Sequence, residues 1–238
     1  MNATIARLTV STLLGKRRAL FLVILPALLL GFAVLVRWLA GPDPHLSAGL
    51  LQTFALGTIV PLLGLITGTG VIGSEIDDGS IVYILSKPVR RSVIVVTKLL
   101  VSIACLVVFA AIPIVAAGLV MVGLDEGMAV GFGVGAVVAG IAYSALFLLL
   151  AVVTKHAVVF GLIYALIWES MVGGFIPGAQ MLSIQQWALA LTEAMVSSDT
   201  AQAAVGTGAG TILLIVVTVL ATVLAGQRLR SLTLTESE

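Results

Sequence analysis

Residues Met128–Val153 read MAVGFGVGAVVAGIAYSALFLLLAVV, 26 residues without one charged side chain. As a helix the run rises about 39 Å at about 1.5 Å per residue, more than the roughly 30 Å hydrocarbon core of a bilayer. Lipid offers no hydrogen-bond partner to backbone N–H and C=O groups, so an apolar run of this length folds as a helix. Strands of a membrane barrel would instead show shorter, alternating segments.

Working outward, residues 123–127 are too few to separate this helix from the apolar run before it, and Thr154, Lys155 and His156 join it to the run after it. Those neighbours are therefore antiparallel to it. In all, six apolar runs are marked, at 19–39, 50–72, 99–122, 128–153, 157–176 and 203–225. The 238-residue chain is 60% hydrophobic and only 10% charged, too little polar surface to cover a soluble globule of this size. The fold class is an all-α integral membrane protein with six transmembrane helices.

Eleven of the twelve Lys and Arg residues fall on one side if the N-terminus is cytoplasmic, namely Arg7, Lys16, Arg17, Arg18, Lys87, Arg90, Arg91, Lys98, Lys155, Arg228 and Arg230. Only Arg37 falls near the outer face. The bias puts both termini in the cytoplasm. Segment 1–18 is expected to be an amphipathic helix on the inner membrane surface, with Ile5, Leu8, Thr12 and Leu13 on one side; a short basic tail is the alternative. Residues 19–226 form the membrane domain, its first helix uncleaved, and 227–238 a cytoplasmic tail. The setting is a cell membrane, bacterial and cytoplasmic by expectation, crossed several times.

Within the spans, Gly127, Gly131, Gly135 and Ala139 form a ridge of small residues on the fourth helix, as do Gly64 and Gly68 on the second and Gly206 and Gly210 on the sixth. Such ridges mark close helix contacts, in this chain or with another. Pro26, Pro61 and Pro113 lie inside spans and predict kinks. The outer loop 41–49, with Pro42 and Pro44, reads as a tight connection. The last outer segment, 177–202, is too long for a turn. Ile184, Trp187, Leu191 and Met195 are spaced for one helical face, with Gln185, Gln186, Thr192 and Glu193 elsewhere. A short helix at the outer interface is expected, with Trp187 at headgroup level. Gly173, Gly174, Pro177 and Gly178 before it break the fifth helix and let the chain dip back toward a pathway exit.

Catalytic groupings are missing. His45 and His156 lie on opposite sides of the membrane, which excludes a two-His metal site within one chain and disfavours a Ser, His, Asp triad. No Gly-x-x-x-x-Gly-Lys-Ser/Thr loop occurs to cradle phosphates. Cys105 is alone and reads as an apolar filler, and a net charge of +1 gives no reason to expect nucleic acid. The chain is not expected to be an enzyme or to bind a cofactor. One acid stands out: Glu169, about 13 residues into the fifth span, costs about 2.5 to 3.5 kcal/mol in hydrocarbon. Either it faces the bundle interior, a cavity or a partner as a substrate contact or gate, or it reaches water at the outer interface.

The polar island 75–98 carries seven of the chain's 23 charges, Glu75, Asp77, Asp78, Lys87, Arg90, Arg91 and Lys98. Topology accounts for its bases only. Ile76, Ile81, Ile84 and Leu85 can line one face of a short helix starting near Asp77, whose acids favour its N-terminal end, with Pro88 as its stop. The order Glu75-x-x-x-Gly79-Ser80, Leu85, Pro88-Val89, Arg91 and Lys98 resembles the first cytoplasmic loop of type-2 ATP-binding-cassette permeases of the exporter family. Ser80, Arg90 and Thr97 depart from that family's usual Thr, Ser and Gly. The resemblance implies a coupling helix between the second and third spans, with Glu75, Asp77, Asp78, Gly79, Ile81, Leu85, Pro88 and Arg91 facing a separate ATPase. It further implies two ATPase subunits carrying ATP and Mg²⁺, a second copy or homologue of this chain, and a pathway through the pair, for which Glu169 and Trp187 are gate candidates. The rival readings are an ATP-independent secondary transporter and a non-transporting anchor or signalling subunit served by the same ATPase.

Overall fold

The computed structural model describes residues 3–13, 15–73, 91–124, 127–172, 177–196 and 200–231. The helices, in chain order, are α1 (Ala3–Leu13), α2 (Lys16–Ala40), α3 (Pro44–Leu50), α4 (Val60–Gly70), α5 (Arg91–Leu106), α6 (Ile112–Met121), α7 (Met128–Val153), α8 (Ala157–Ile163), α9 (Pro177–Gln180), α10 (Ile184–Glu193) and α11 (Thr207–Ser231). Three π-helical stretches, Leu51–Ile59, Val107–Ala111 and Tyr164–Val172, follow α3, α5 and α8 without a break. Helix is the only regular structure among the described residues.

Among the described residues, five helices are long and apolar enough to cross a membrane: Arg18–Ala40, Pro44–Gly70, Ser92–Met121, Met128–Val153 and Thr207–Leu229. Two begin earlier than expected. Asp43 caps α3, its carboxylate accepting from the His45 and Leu46 backbone N–H groups at 2.9 and 3.1 Å, and Pro44 suits the first turn. The expected loop 41–49 is therefore helical from Pro44. The third span starts at Ser92 because Lys98, read as a polar boundary, is fully buried. The fifth run is the short one. Its described part, 7 α-helical and 9 π-helical residues, reaches about 24 Å at about 1.5 Å per residue.

Prolines explain two of the π stretches. Pro61 and Pro113 each sit in the first turn of the α-helix that follows one. A proline lacks the N–H that would bond the preceding turn, and its ring crowds that turn. The ladder widens instead: Val60 N–H donates to the Ala55 carbonyl and Ile112 N–H to the Val107 carbonyl, both five residues back. Pro26, by contrast, lies within a continuous α2.

α7 is the centre. It packs against α4, α5, α6, α8, α10 and α11, and 61% of its span is buried, against 22% for α2 and for α11. The ridges decide this arrangement, and their partners lie in the same chain. A Cβ on Gly64 would stand 2.8 Å from the Tyr143 Cβ, and one on Gly68 2.9 Å from the Phe147 Cβ and 3.1 Å from the Ser144 carbonyl. On the other side of α7, Gly131 faces Val196 and the Thr192 carbonyl. Gly210 touches the Trp187 backbone, whereas Gly206 faces open space. Gly68→Val is expected to destabilise the purified protein by about 1 to 3 kcal/mol, because backbone rather than a flexible side-chain end blocks the added atoms. Denaturant titration of the variant in detergent measures this.

α1 lies against α5. Leu13 is fully buried and Thr9 nearly so, while Leu8 remains 57% exposed. Of the line read from the sequence, Leu13 is thus covered and Leu8 is not.

Candidate functional site

Two polar constructions lie along α7, one near its C-terminal end and one beside its middle, at Tyr143. At the first, where Gly73 leads toward the polar island, the last carbonyls of α4 are held by cations from two other elements. Arg18, at the start of α2, donates from Nη1 to the Gly70 carbonyl at 3.1 Å. Lys98, on α5, is fully buried and donates from Nζ to the Val71 carbonyl. Helix ends leave carbonyls without intrahelical partners and carry partial negative charge, so buried cations are favoured there. Gly70 permits the approach: a Cβ would stand 2.7 Å from Leu13 Cδ2 and 3.0 Å from Arg18 Nη1. The root of the island is thus tied to α1, α2 and α5 together. Arg37, the cation that broke the topological pattern, does similar work elsewhere: its Nη1 donates to the Met121 carbonyl at the end of α6, at 3.1 Å.

Beside the middle of α7, Glu169 is fully buried, so the reading in which it reaches water does not hold. Its carboxylate accepts four hydrogen bonds. Tyr164 Oη donates to Oε1 at 2.8 Å, Ser183 Oγ to Oε2 at 2.5 Å, and the backbone N–H groups of Ile184 and Gln185 at 3.0 and 3.4 Å. Tyr164 lies five residues before Glu169, and the π-helical stretch between them brings such a pair onto one face. Two of the donors belong to the first turn of α10, and Ser183 is its N-cap, accepting from Gln186 N–H at 3.4 Å. A carboxylate at a helix N-terminus satisfies otherwise unpaired donors and meets the positive end of the helix dipole. The fully buried Tyr143 is a close electrostatic neighbour of Glu169. Its hydroxyl is the buried side-chain polar atom without a hydrogen bond among the described residues.

α10 does not lie one-sided on the bundle. Ile184 through Ala190 and Thr192 are all buried, between α7 and α11. Trp187, expected at headgroup level, is 5% exposed and donates from Nε1 to the Met181 carbonyl at 2.8 Å. The polar residues assigned to an outward face find partners inside. Gln185 Nε2 donates to the Gln52 carbonyl at 2.7 Å, Gln186 Oε1 accepts from Ala204 N–H at 3.2 Å, and Thr192 Oγ1 donates to the Gly131 carbonyl at 3.2 Å. Periodicity counted these as exposed; saturation of their hydrogen bonds makes burial tolerable.

Of the expected coupling residues, Glu75, Asp77, Asp78, Gly79, Ile81, Leu85 and Pro88 lie outside the described residues, and Arg91 opens α5. The structure brings Glu169 and Trp187 to the two sides of one short helix, the carboxylate at its first turn and the indole in its buried wall. Sequence reading missed Tyr164, Ser183 and Tyr143 around the acid, and the holding of the α4 carbonyls by Arg18 and Lys98. A Ser three residues before a Gln, opening an apolar helix, was the available sign for Ser183.

A comparison with curated proteins finds no match. The family model for ABC-2 family transporter proteins matches residues 19–229, which takes in the bundle from within α2 to Leu229 of α11, the Glu169 site, Lys98 and the island between α4 and α5, with Arg18 just before its start. This chain is a member of the ABC-2 transporter family, a multi-pass membrane permease of ABC transporters.

Proposed function

We propose that the chain is the pathway-forming subunit of an ATP-driven exporter, driven through the island 75–98 by separate ATPase subunits. Six crossings, with the short fifth helix as one of them, put both termini and the island in the cytoplasm of a bacterial cell. Two copies, or one copy and a homologue, enclose the cargo path. Two ATPase subunits beneath them bind ATP and Mg²⁺ and carry out hydrolysis. The observation that supports this reading most directly is the tied root of the island: a push on residues 75–90 meets carbonyls held by α2 and α5 and tilts those helices with α4. Beside the middle of α7 the Glu169 carboxylate holds the first turn of α10, and release of that hold frees α10 to move against α7. Tyr143 Oη then replaces a lost donor.

Glu75→Ala combined with Asp77→Ala is expected to weaken association with the ATPase by about tenfold, the scale of losing charges from an interface rim. Copurification with the ATPase, followed by ATP hydrolysis in reconstituted vesicles, tests it. A double variant that still retains the ATPase and stimulates hydrolysis overturns the coupling assignment. Cargo flux independent of ATP favours a secondary transporter, and hydrolysis without flux an anchor.

A further inference from the structure

Of the three π-helical stretches among the described residues, two run directly into a proline, Pro61 or Pro113. The third, Tyr164–Val172, has no such cause, since no proline occurs between residues 157 and 176. A π turn is rare in a helix and frequently marks a functional site. Here the contacts that hold it are tertiary. Tyr164 is anchored on α7, its ring edge-on to Phe147 with centroids 6.1 Å apart. Glu169 is anchored on α10, by Ser183 Oγ and the Ile184 and Gln185 N–H groups. The Tyr164 hydroxyl joins the two anchors, donating to Glu169 Oε1 at 2.8 Å.

That bond and the wide register depend on each other. At about 100° per residue, positions five apart lie about 140° apart round an α-helix and do not face one another, whereas positions three and four apart do. The wide turn closes the angle. Tightening it again sacrifices no backbone bond, because each N–H exchanges an acceptor five residues back for one four back. The stretches before Pro61 and Pro113 lack this freedom, since a proline has no N–H with which to complete the α ladder.

We infer that Tyr164–Val172 is a two-register segment and that the Tyr164–Glu169 bond is the latch that keeps it in the π form. When the latch opens, the turn tightens to the α register and Glu169 rotates away from Tyr164 and off the first turn of α10. Trp168 turns with it and leaves the Leu182 carbonyl, to which its Nε1 donates at 3.5 Å. Helix register shifts of this kind take microseconds to milliseconds. The inference supplies the step that frees α10, and rests on the transport reading only for what that step accomplishes; its test needs neither cargo nor ATPase.

Fluorine NMR of the full chain, purified in detergent with 5-fluorotryptophan in place of Trp38, Trp168 and Trp187, tests it. Trp168→Phe assigns the Trp168 signal. Tyr164→Phe opens the latch and keeps the ring on Phe147. It is expected to shift the balance between two Trp168 signals about 10- to 100-fold toward the minor one, the scale of losing a hydrogen bond to a carboxylate. Thr58→Val removes a hydroxyl from a proline-widened stretch, where it donates to the Thr53 carbonyl five residues back, and is expected to leave Trp168 unchanged. A single unmoved Trp168 signal in Tyr164→Phe, or an equal response to Thr58→Val, overturns the inference.

Two deletions give a second reading. Deleting the half-exposed Ile167 sets Tyr164 and Glu169 four apart, where an α-helix brings them together, so the latch and the denaturation midpoint are expected to survive. Deleting the similarly exposed Leu162, in α8, turns Gly161 out of its close fit against Leu65 and Phe147. That deletion is expected to lower the midpoint about twofold. Equal damage from both deletions means that the stretch holds no surplus residue, and overturns the second register.

Discussion

Glu169→Ala is expected to lower the unfolding free energy of the purified chain by about 3 to 5 kcal/mol, because it leaves three buried donors and one part-buried donor without an acceptor, at about 1 to 3 kcal/mol for each buried one before relaxation. The donors are Tyr164, Ser183 and the Ile184 and Gln185 N–H groups. Glu169→Gln keeps one acceptor oxygen and turns an NH₂ group toward the other donors, so it is expected to cost about 1 to 3 kcal/mol. Tyr143→Phe removes a hydroxyl beside the Glu169 carboxylate that meets no partner at ordinary hydrogen-bond geometry, and is expected to change stability by less than about 1 kcal/mol. Tryptophan fluorescence during denaturant unfolding in detergent reads all three, since the indole of Trp187 is enclosed in α10's buried wall. Transport reads the proposed gate separately. Unchanged ATP-driven flux in Glu169→Gln leaves the carboxylate a structural role only.

Lys98→Met separates stability from coupling in the opposite sense. Methionine has a similar length and no charge to desolvate, and replacing a buried ion by an apolar side chain of like volume is often neutral, so the change in stability is expected to stay within about 1 kcal/mol. Yet the tie from α5 to the Val71 carbonyl is lost. Stimulation of the partner's ATP hydrolysis by cargo, and flux with it, is expected to fall by about 30-fold, within the ordinary range of coupling free energies. Lys98→Arg restores a donor and is expected to recover part of the flux. Equal flux in Lys98→Met and wild type, measured in vesicles with the ATPase bound, removes the tied root from the mechanism.

Much of the bundle was legible because membrane solvation imposes it. A run such as Met128–Val153 has one way to satisfy its backbone in lipid, and the glycine ridges named their own contacts: Gly64 and Gly68 do meet α7, and Gly131 meets the α10 region. What escaped is polar and paired. Lys98 looked like the edge of a loop because charge in a sequence reads as exposure, yet a helix C-terminus supplies a partner no window of sequence contains. The same error, repeated at Gln185, Gln186 and Thr192, put α10 on the surface when their partners, at Gln52, Ala204 and Gly131, lie far along the chain or beyond the next turn. Glu169 was found by its cost alone. Its partners were not, since Ser183 and α10 reach it only through the tertiary fold. The π-helical widening before Pro61 and Pro113 was half legible: proline marks the disturbance, but whether the ladder bends or widens depends on neighbours.

The central position of α7 constrains how such a chain can be recombined. One face of this helix is shaped to α4 by Tyr143 and Phe147 against Gly64 and Gly68, and another to α10 by Gly131 and Gly135 against Thr192. Grafting α10 from a relative to alter cargo would therefore import side chains onto glycines cut for different ones. Residues 60–70, 128–153 and 184–193 form one heritable cassette, and hybrid permeases are expected to fold only when all three come from the same parent.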